Sequence, residues 1–516
     1  AAGELPFLGM PSSVGIPNAP TGVWLMMLPY SLTNNPLVAT LFVALLNVMG
    51  VVLLFLLARR LFNTQVAVIA ALLYAMNPWA VLYSRKIWAQ DMHTPFILLA
   101  LWFGVVGFLD GRRVLQVLSL PVLALAVQTH YAAWTLVPVY VVLLYLGRKN
   151  TSVGAVAISF VLGGLCVLPF GFGIWQTWQE NPALFSSISS GDSDPVRLSA
   201  DALLFHVRLL AGAGIAEIFT GAGLRWYDIV WQIVFVGAAV AGMVAMWRKS
   251  RHAAVLISLW IFVPLVAFTP TWTDTFSHYF IPALPALCVI VALGVAWFAE
   301  VVDKRVVYGA VGVLLVSQMV VWFGLLNAAN SNPQAGEFGL PLHYRLDVRE
   351  ALTGENDIVL ISDGYRTLLD EEAAIWAVMT YGNACLRTVS TDGFTVMPPR
   401  AFVTLTEPDS PPRDLYLTDN PIEFTLPDGE IFAIHTHDAR EWDTLPDVMP
   451  VQFDNSVRLT GMNLAGNILQ LAWELPESRP DSDFQYFAHF VDENGERIGQ
   501  RMANFCRGAG GAMATD

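Results

Sequence analysis

Charge is what this chain has least of. Only 14% of its 516 residues are Asp, Glu, Lys or Arg, while 55% are hydrophobic, a balance that ordinary soluble domains do not reach. Cysteine is as sparse. Cys166, Cys288, Cys385 and Cys506 stand far apart without a CxxC spacing, so neither a disulfide framework nor a zinc site is implied. No glycine-rich phosphate fingerprint is present, and no half of the chain repeats the other as the halves of many transporters do. Initiator Met and signal peptide are missing too: the chain opens at Ala1 in a Pro/Gly-rich stretch, so an upstream apolar span is expected.

The charge that exists is unevenly spread. Of the 42 acidic residues 30 follow Asn327, and of the 28 basic ones 12 do. The last third therefore reads as an acidic soluble region, and the first two thirds as membrane. Apolar runs lie at 36–57, 65–83, 94–109, 114–128, 131–146, 154–175, 229–247, 253–269, 279–299 and 306–327, most near the ~20 residues that cross ~30 Å of hydrocarbon. Ten spans are predicted, some short and joined by polar junctions such as Gln128-Thr129-His130, where a pair is expected to tilt or stop below the surface.

Basic pairs mark every second junction: Arg59-Arg60, Arg112-Arg113, Arg148-Lys149, Arg248-Lys249-Arg251 and Lys304-Arg305. Positive charge stays on the cytoplasmic side. The opposite junctions, with everything after Asn327, are then expected to be extracytoplasmic, in a cell-membrane protein.

Those outward junctions hold the chain's unusual polar residues: Arg85, Lys86, Asp91 and His93 in one, His130 and Tyr131 in another, Asp274, His278 and Tyr279 in a third. Guanidinium and ammonium suit a lipid phosphate. Asp91 suits a hydroxyl, a sugar or a metal, or serves as a helix N-terminal cap. Taken singly, each residue is an interfacial side chain snorkelling to water; only their convergence makes a site. The loop 176–228 carries Asp192-Ser193-Asp194, a solvated turn, and an apolar-periodic stretch at 198–211 that predicts a helix lying on the membrane surface.

After Asn327 the pattern changes. Helix-like Leu346–Leu352 and Glu371–Tyr381 alternate with strand-like Ile358–Ser362, Ala401–Leu405 and Ile431–His435, which predicts a small α/β unit. Asp363-Gly364 reads as a turn. His435-Thr436-His437-Asp438 puts two imidazoles on one strand face, but two ligands do not make a metal site, and a structural role is preferred. Short strands from Val451 onward, with Asp492-Glu493-Asn494-Gly495 as a hairpin turn, predict part of a β-sandwich whose aromatics Trp473, Phe484, Tyr486, Phe487 and Phe490 are mostly core. The chain is expected to be cut at its C-terminus also, where Arg507–Asp516 has no packing pattern.

The order of patterns resembles the GT-C class of membrane glycosyltransferases, in particular the protein O-mannosyltransferase and aminoarabinose transferase group. Ala2-Gly3-Glu4-Leu5-Pro6 through Pro20-Thr21-Gly22-Val23-Trp24 and Leu28-Pro29 is similar to the end of the family's first outer loop. Tyr83-Ser84-Arg85 through Asp91 resembles its second, and His278-Tyr279-Phe280-Ile281-Pro282-Ala283-Leu284-Pro285 resembles a late helix start. The resemblance implies a polytopic α-helical membrane fold, a GT-C-like bundle over 1–330, followed by an extracytoplasmic α/β domain over 331–447, a β-sandwich-like domain over 448–506 and a low-complexity tail over 507–516.

In function it implies transfer of a sugar from a polyprenyl-phosphate donor to a glycan, lipid or protein acceptor, with membrane lipids as surroundings and no nucleic-acid partner. Arg85, Lys86, His130, His278 and Tyr279 are then substrate-binding candidates, and Asp91 the catalytic candidate. The family's catalytic base lies upstream of the Gly/Pro segment, so it is expected before Ala1. No metal ligands are assigned, although a divalent cation beside Asp91 is left open. The alternative is a transporter or flippase of lipid-linked sugars.

Overall fold

The computed structural model describes residues 5–10, 17–180, 197–220, 223–271, 275–331, 340–355, 357–362, 371–381, 385–390, 398, 400–408, 410, 416–438, 447–452, 458–465, 468–474, 485–491 and 497–504. Asp192, Asp194, Asp274, the Asp363-Gly364 and Asp492–Gly495 turns, Phe484 and the tail after Asn504 lie outside them. The chain divides into two units, Ala1–Asn327 and Ala328–Asp516.

The first unit is a helical bundle in which each expected span finds a helix. Short α1 (Thr21–Tyr30) precedes α2 (Pro36–Leu61), α3 (Thr64–Met76), α4 (Pro78–Tyr83) and α5 (Ala89–Gly104), which a π turn carries to Leu109. Then come α6 (Arg113–Thr129), α7 (Val137–Leu146) behind a 3₁₀ turn, and α8 (Val153–Glu180). Two small helices, α9 (Asp201–Ala211) and α10 (Ile215–Thr220), lead to α11 (Trp226–Lys249), α12 (Arg251–Phe268), α13 (Leu284–Val301) and α14 (Lys304–Ser331). Among the described residues seven helical segments are long and apolar enough to cross a membrane, while Thr64–Met76, Arg113–Thr129 and Tyr131–Leu146 are shorter. The short pair meeting at His130 was expected. The break in the second span was not.

That break has a local cause. Pro78 disfavours a helical conformation at the preceding residue, and Asn77 is extended, with φ −66° and ψ 125°; its side chain caps α4, Oδ1 accepting from the backbone N–H of Trp79 at 2.9 Å and of Ala80 at 3.3 Å. Its Nδ2 donates to the Leu209 carbonyl at 2.8 Å. Trp79 Nε1 and Gln318 Nε2 take the carbonyls of Ala213 and Ala211 at 2.9 and 2.6 Å. The end of α9 is thus satisfied by bundle side chains, and Gly212 turns there with φ +64°, a region that favours glycine. Helix α9 is amphipathic as expected of the 198–211 stretch: His206 and Leu209 are buried, Leu203 and Leu204 exposed.

Small residues let α11 and α13 meet backbone to backbone. A Cβ on Gly242 would lie 1.7 Å from the Ile290 carbonyl oxygen, and one on Gly294 1.9 Å from that of Ala238, the close approach that small residues four apart allow between membrane helices. Helix α13 is buried on every side from Leu284 to Ala296, which suits an all-apolar sequence at the bundle centre.

The bundle has two chemically different ends. At one, the basic turns are stitched together: Arg60 pairs with Asp110, Asn150 Nδ2 donates to the Leu109 carbonyl at 2.7 Å, Gln116 Nε2 to the Asn150 carbonyl at 2.9 Å, and Lys249 lies 3.5 Å from Glu300. At the other end the histidines gather.

The second unit begins with α15 (Leu342–Ala351), and a five-stranded sheet follows in the order β4-β3-β5-β7-β6. Strands β3 (Asp357–Ser362), β4 (Cys385–Ser390) and β5 (Phe402–Thr406) are parallel; β7 (Ile431–His437) and β6 (Ile422–Thr425) add antiparallel. Central β3 and β5 are buried along their whole length, as parallel strands covered on both faces must be. Ile358, Leu360, Val403 and Leu405 pack with Trp376 of α16 (Glu371–Met379) and Val348 of α15. Beyond lie antiparallel strands: a three-stranded sheet β10-β9-β8 (Ile468–Glu474, Arg458–Ala465, Asp447–Gln452) and a hairpin of β11 (Gln485–Val491) with β12 (Arg497–Asn504). Strands β3, β5, β7, β9, β10, β11 and β12 fall where the sequence pattern predicted strands, whereas β4, β6 and β8 were not anticipated.

Candidate active site at the histidine end of the bundle

Helix α4 stops at Tyr83 and α5 starts at Ala89, leaving a five-residue turn that carries Arg85, Lys86 and Trp88. Across it lies the 3₁₀ turn Ser277–Tyr279, anchored on both sides. Tyr83 Oη and Ser277 Oγ are 2.8 Å apart, and Trp260 Nε1 donates to the Pro282 carbonyl at 2.7 Å. Pro285 sits in the first turn of α13, where its missing N–H is no loss. These contacts bring residues nearly two hundred positions apart to one place.

Lys86 is held by aromatic faces. Its Nζ lies 5.0 Å from the Tyr83 ring centroid and 4.7 Å from that of Trp88, inside the ~6 Å range of cation–π attraction. Trp88 in turn meets the edge of His278 at 4.7 Å. Burial pulls the Lys86 ammonium below its ordinary pKa while the charge of Asp91 pushes back.

Three imidazoles form a row. The rings of His93 and His130 are 5.5 Å apart, those of His130 and His278 5.4 Å, and Tyr279 stacks on His130 at 5.8 Å. The Ala132 N–H donates to His130 Nδ1 at 3.3 Å, which assigns the neutral ring's proton to Nε2. Burial, reinforced by His93 and Lys86, takes His278 down to about 3, so it is neutral at pH 7. His130 is lowered by burial and by both neighbouring imidazoles. His278 and His130 therefore offer N–H donors to an anion, and Lys86 supplies the charge.

Asp91 is only 2% exposed. Neither of its carboxyl oxygens closes a hydrogen bond among the described residues; its electrostatic partner is Lys86, whose backbone N–H also approaches it. The expected alternative role as a helix cap is not the one it takes, since the capping position before α5 is Trp88 and Asp91 sits in the first turn. Its backbone carbonyl accepts from Asn47 Nδ2 at 2.9 Å, which ties α5 to α2.

Lys86, Asp91, His130, His278 and Tyr279 thus lie in one contiguous network of contacts and charge interactions. Arg85 precedes it in the turn but is exposed, with no side-chain hydrogen bond or ion pair among the described residues. His93, named in the sequence among the polar residues of this junction, joins the network, and Trp88, Tyr83 and Ser277, which sequence reasoning did not select, complete it. Aromatic residues at −3 and +2 from a lone membrane-end lysine were the available signal. His435 and His437 are engaged locally: His435 Nδ1 accepts from the Thr418 N–H at 3.1 Å, and His437 stacks on Phe402 at 4.4 Å.

Residues 17–175 match a family model described as dolichyl-phosphate-mannose-protein mannosyltransferase. Among solved structures the chain is similar to ArnT from Cupriavidus metallidurans in the apo state, at 14% identity and a TM-score of 0.50, over 80% of this chain and 87% of that one. ArnT from the same organism bound to undecaprenyl phosphate gives 13% identity and a TM-score of 0.50, with the same coverage. No curated protein matches the sequence. The resemblance to the GT-C class holds: the chain is an integral membrane protein with a GT-C fold, and the family match spans Lys86, Asp91 and His130.

Proposed function

We propose that the protein transfers a sugar from a polyprenyl-phosphate donor to an acceptor hydroxyl on the extracytoplasmic side of the cell membrane. The observation that carries this reading is a half-buried ammonium, Lys86, set beside two neutral imidazoles at one end of a GT-C fold. The acceptor oxygen forms a bond to the anomeric carbon as the bond from that carbon to the phosphate oxygen breaks. The electron pair leaves with the lipid phosphate, and the acceptor proton passes to a general base.

Negative charge grows on the departing phosphate, and fixed donors aimed at it stabilise the transition state more than the ground state. Lys86 is assigned that role, with N–H groups of His130 and His278 beside it, Tyr279 backing His130, and Arg85 at the rim. Asp91, already interacting with Lys86, is assigned to holding substrate rather than taking the proton. Undecaprenyl phosphate in the ArnT structure supports a lipid phosphate as the donor carrier. The five basic clusters at alternate junctions support the sidedness.

The test is transfer of radiolabelled sugar from a polyprenyl-phosphate donor in membranes, with expression of each variant checked. Lys86→Ala is expected to slow turnover by ~10²–10³, and Arg85→Ala by about tenfold, as befits an exposed charge. Unchanged turnover in Lys86→Ala would remove the phosphate assignment.

A further inference from the structure

Helix α5 starts on a residue that caps it poorly. Trp88 stands at the N-cap position, extended at φ −142° and ψ 144°, and its side chain accepts nothing from the first turn, where Ser, Thr, Asp or Asn would satisfy a free N–H. A position that breaks a local rule without a local gain points to function.

What Trp88 gains is contact with two groups of the phosphate site. Its ring centroid lies 4.7 Å from Lys86 Nζ and 4.7 Å from the His278 ring, which it meets at 67°. Ile87, between them in sequence, is exposed, whereas Lys86 and Trp88 are half-buried. Tyr83 offers the ammonium a second ring at 5.0 Å. Both rings are tied to the 277–279 turn: Tyr83 through its hydroxyl, 2.8 Å from Ser277 Oγ, and Trp88 through His278, which also stacks on Phe276 at 5.6 Å. Trp88 thus spans the cation of one turn and the imidazole of the other.

The kind of contact matters as much as its place. Asp91 attracts the same ammonium from the start of α5, and a flexible lysine stem left to itself would settle on that carboxylate. Neither Asp91 oxygen closes a hydrogen bond among the described residues. A ring face attracts the cation through its quadrupole without carrying a net charge, so it restrains the ammonium and leaves the positive charge to act on an anion.

We propose that Trp88 is the positioning residue of the phosphate site, its ring holding the Lys86 ammonium and the His278 imidazole side by side so that both meet one lipid phosphate. This rests on the function proposed above.

The experiment replaces Trp88, by site-specific incorporation in the full chain, with tryptophans that carry one to four fluorines on the benzenoid ring. Each fluorine draws charge from the ring face with little change in size, so the attraction for a cation weakens while packing is kept. Affinity for undecaprenyl phosphate in nanodiscs is expected to fall stepwise along the series, about fivefold in all, and about tenfold to thirtyfold in Trp88→Leu. Transfer from a mannosyl polyprenyl phosphate should fall in the same order, with the melting temperature constant across the fluorinated proteins. A flat affinity along the series would overturn the proposal even if Trp88→Leu binds weakly, because the ring would then only fill space. A wild type that binds the lipid with this graded dependence but transfers no sugar would sink the proposed function and leave the positioning role standing. A wild type that binds no undecaprenyl phosphate would sink both.

Discussion

Each unit of this chain buries a cluster of carboxyl and basic groups, and the two clusters are finished differently. In the C-terminal unit Arg345 pairs with Glu372, and the Trp376 indole N–H donates to Glu407. Glu407 is pushed up to about 8, first by burial and then by the charge of Glu372. A few atoms stay unpaired there, Arg345 Nε and Glu372 Oε2, but every residue has a partner. In the bundle neither carboxyl oxygen of Asp91 closes a hydrogen bond among the described residues. A polar cluster that closes on itself is a structural device; one with buried acceptors left unpaired beside a cation invites a ligand.

The sharpest way to break this comparison is to make the same kind of change in both places. Asp91→Asn keeps size and is expected to cut turnover by ~10²–10³ without lowering the melting temperature, because the cost of burying the carboxylate offsets its attraction to Lys86. Thermal unfolding beside the transfer assay reads both. Arg345→Met should do the reverse. It leaves Glu372 uncompensated at a cost of roughly 3 kcal/mol, the low end for a buried pair since Glu372 keeps 35% of its side chain exposed, while turnover per folded molecule stays at the wild-type level.

A smaller effect distinguishes the clusters by pH. The folded state holds the Glu407 proton up to about 8, whereas the unfolded chain gives it up near pH ~4.3. Between those values the folded state binds more protons, so this group's stabilisation is complete in acid and is lost as pH rises through 8. Glu407→Gln should flatten that slope, and hydrogen exchange of β5 in the intact protein at pH 6 and pH 9 measures it: protection in wild type falls at pH 9, after correction for intrinsic exchange, and in the variant it does not. The smallest change expected is His437→Ala, which loses a ring stack on Phe402 worth about 1 kcal/mol and leaves transfer untouched.

How legible each region was follows from the range of its interactions. Ten apolar runs and their basic turns are local features, and each run became a helix. Asn77, which splits the second of them, was hidden because its side chain is paid for by Leu209, 132 positions away. Strand β6, mostly exposed, has no hydrophobic pattern and was missed, as was β4. At the site, Lys86, Asp91, His130 and His278 were chosen for being polar at one membrane depth. Trp88 and Tyr83 were not, since an aromatic at a membrane end is ordinary until a lysine is seen between two of them. The pairing of Arg345, Glu372 and Glu407 joins two helices and a strand end, and no spacing announces it.

The most direct measurement is an electron cryomicroscopy structure of the protein in nanodiscs with a mannosyl polyprenyl phosphate. The account predicts phosphate density within hydrogen-bond reach of Lys86 Nζ, on the side of His130 and His278, and a phosphate bound away from Lys86 would contradict it.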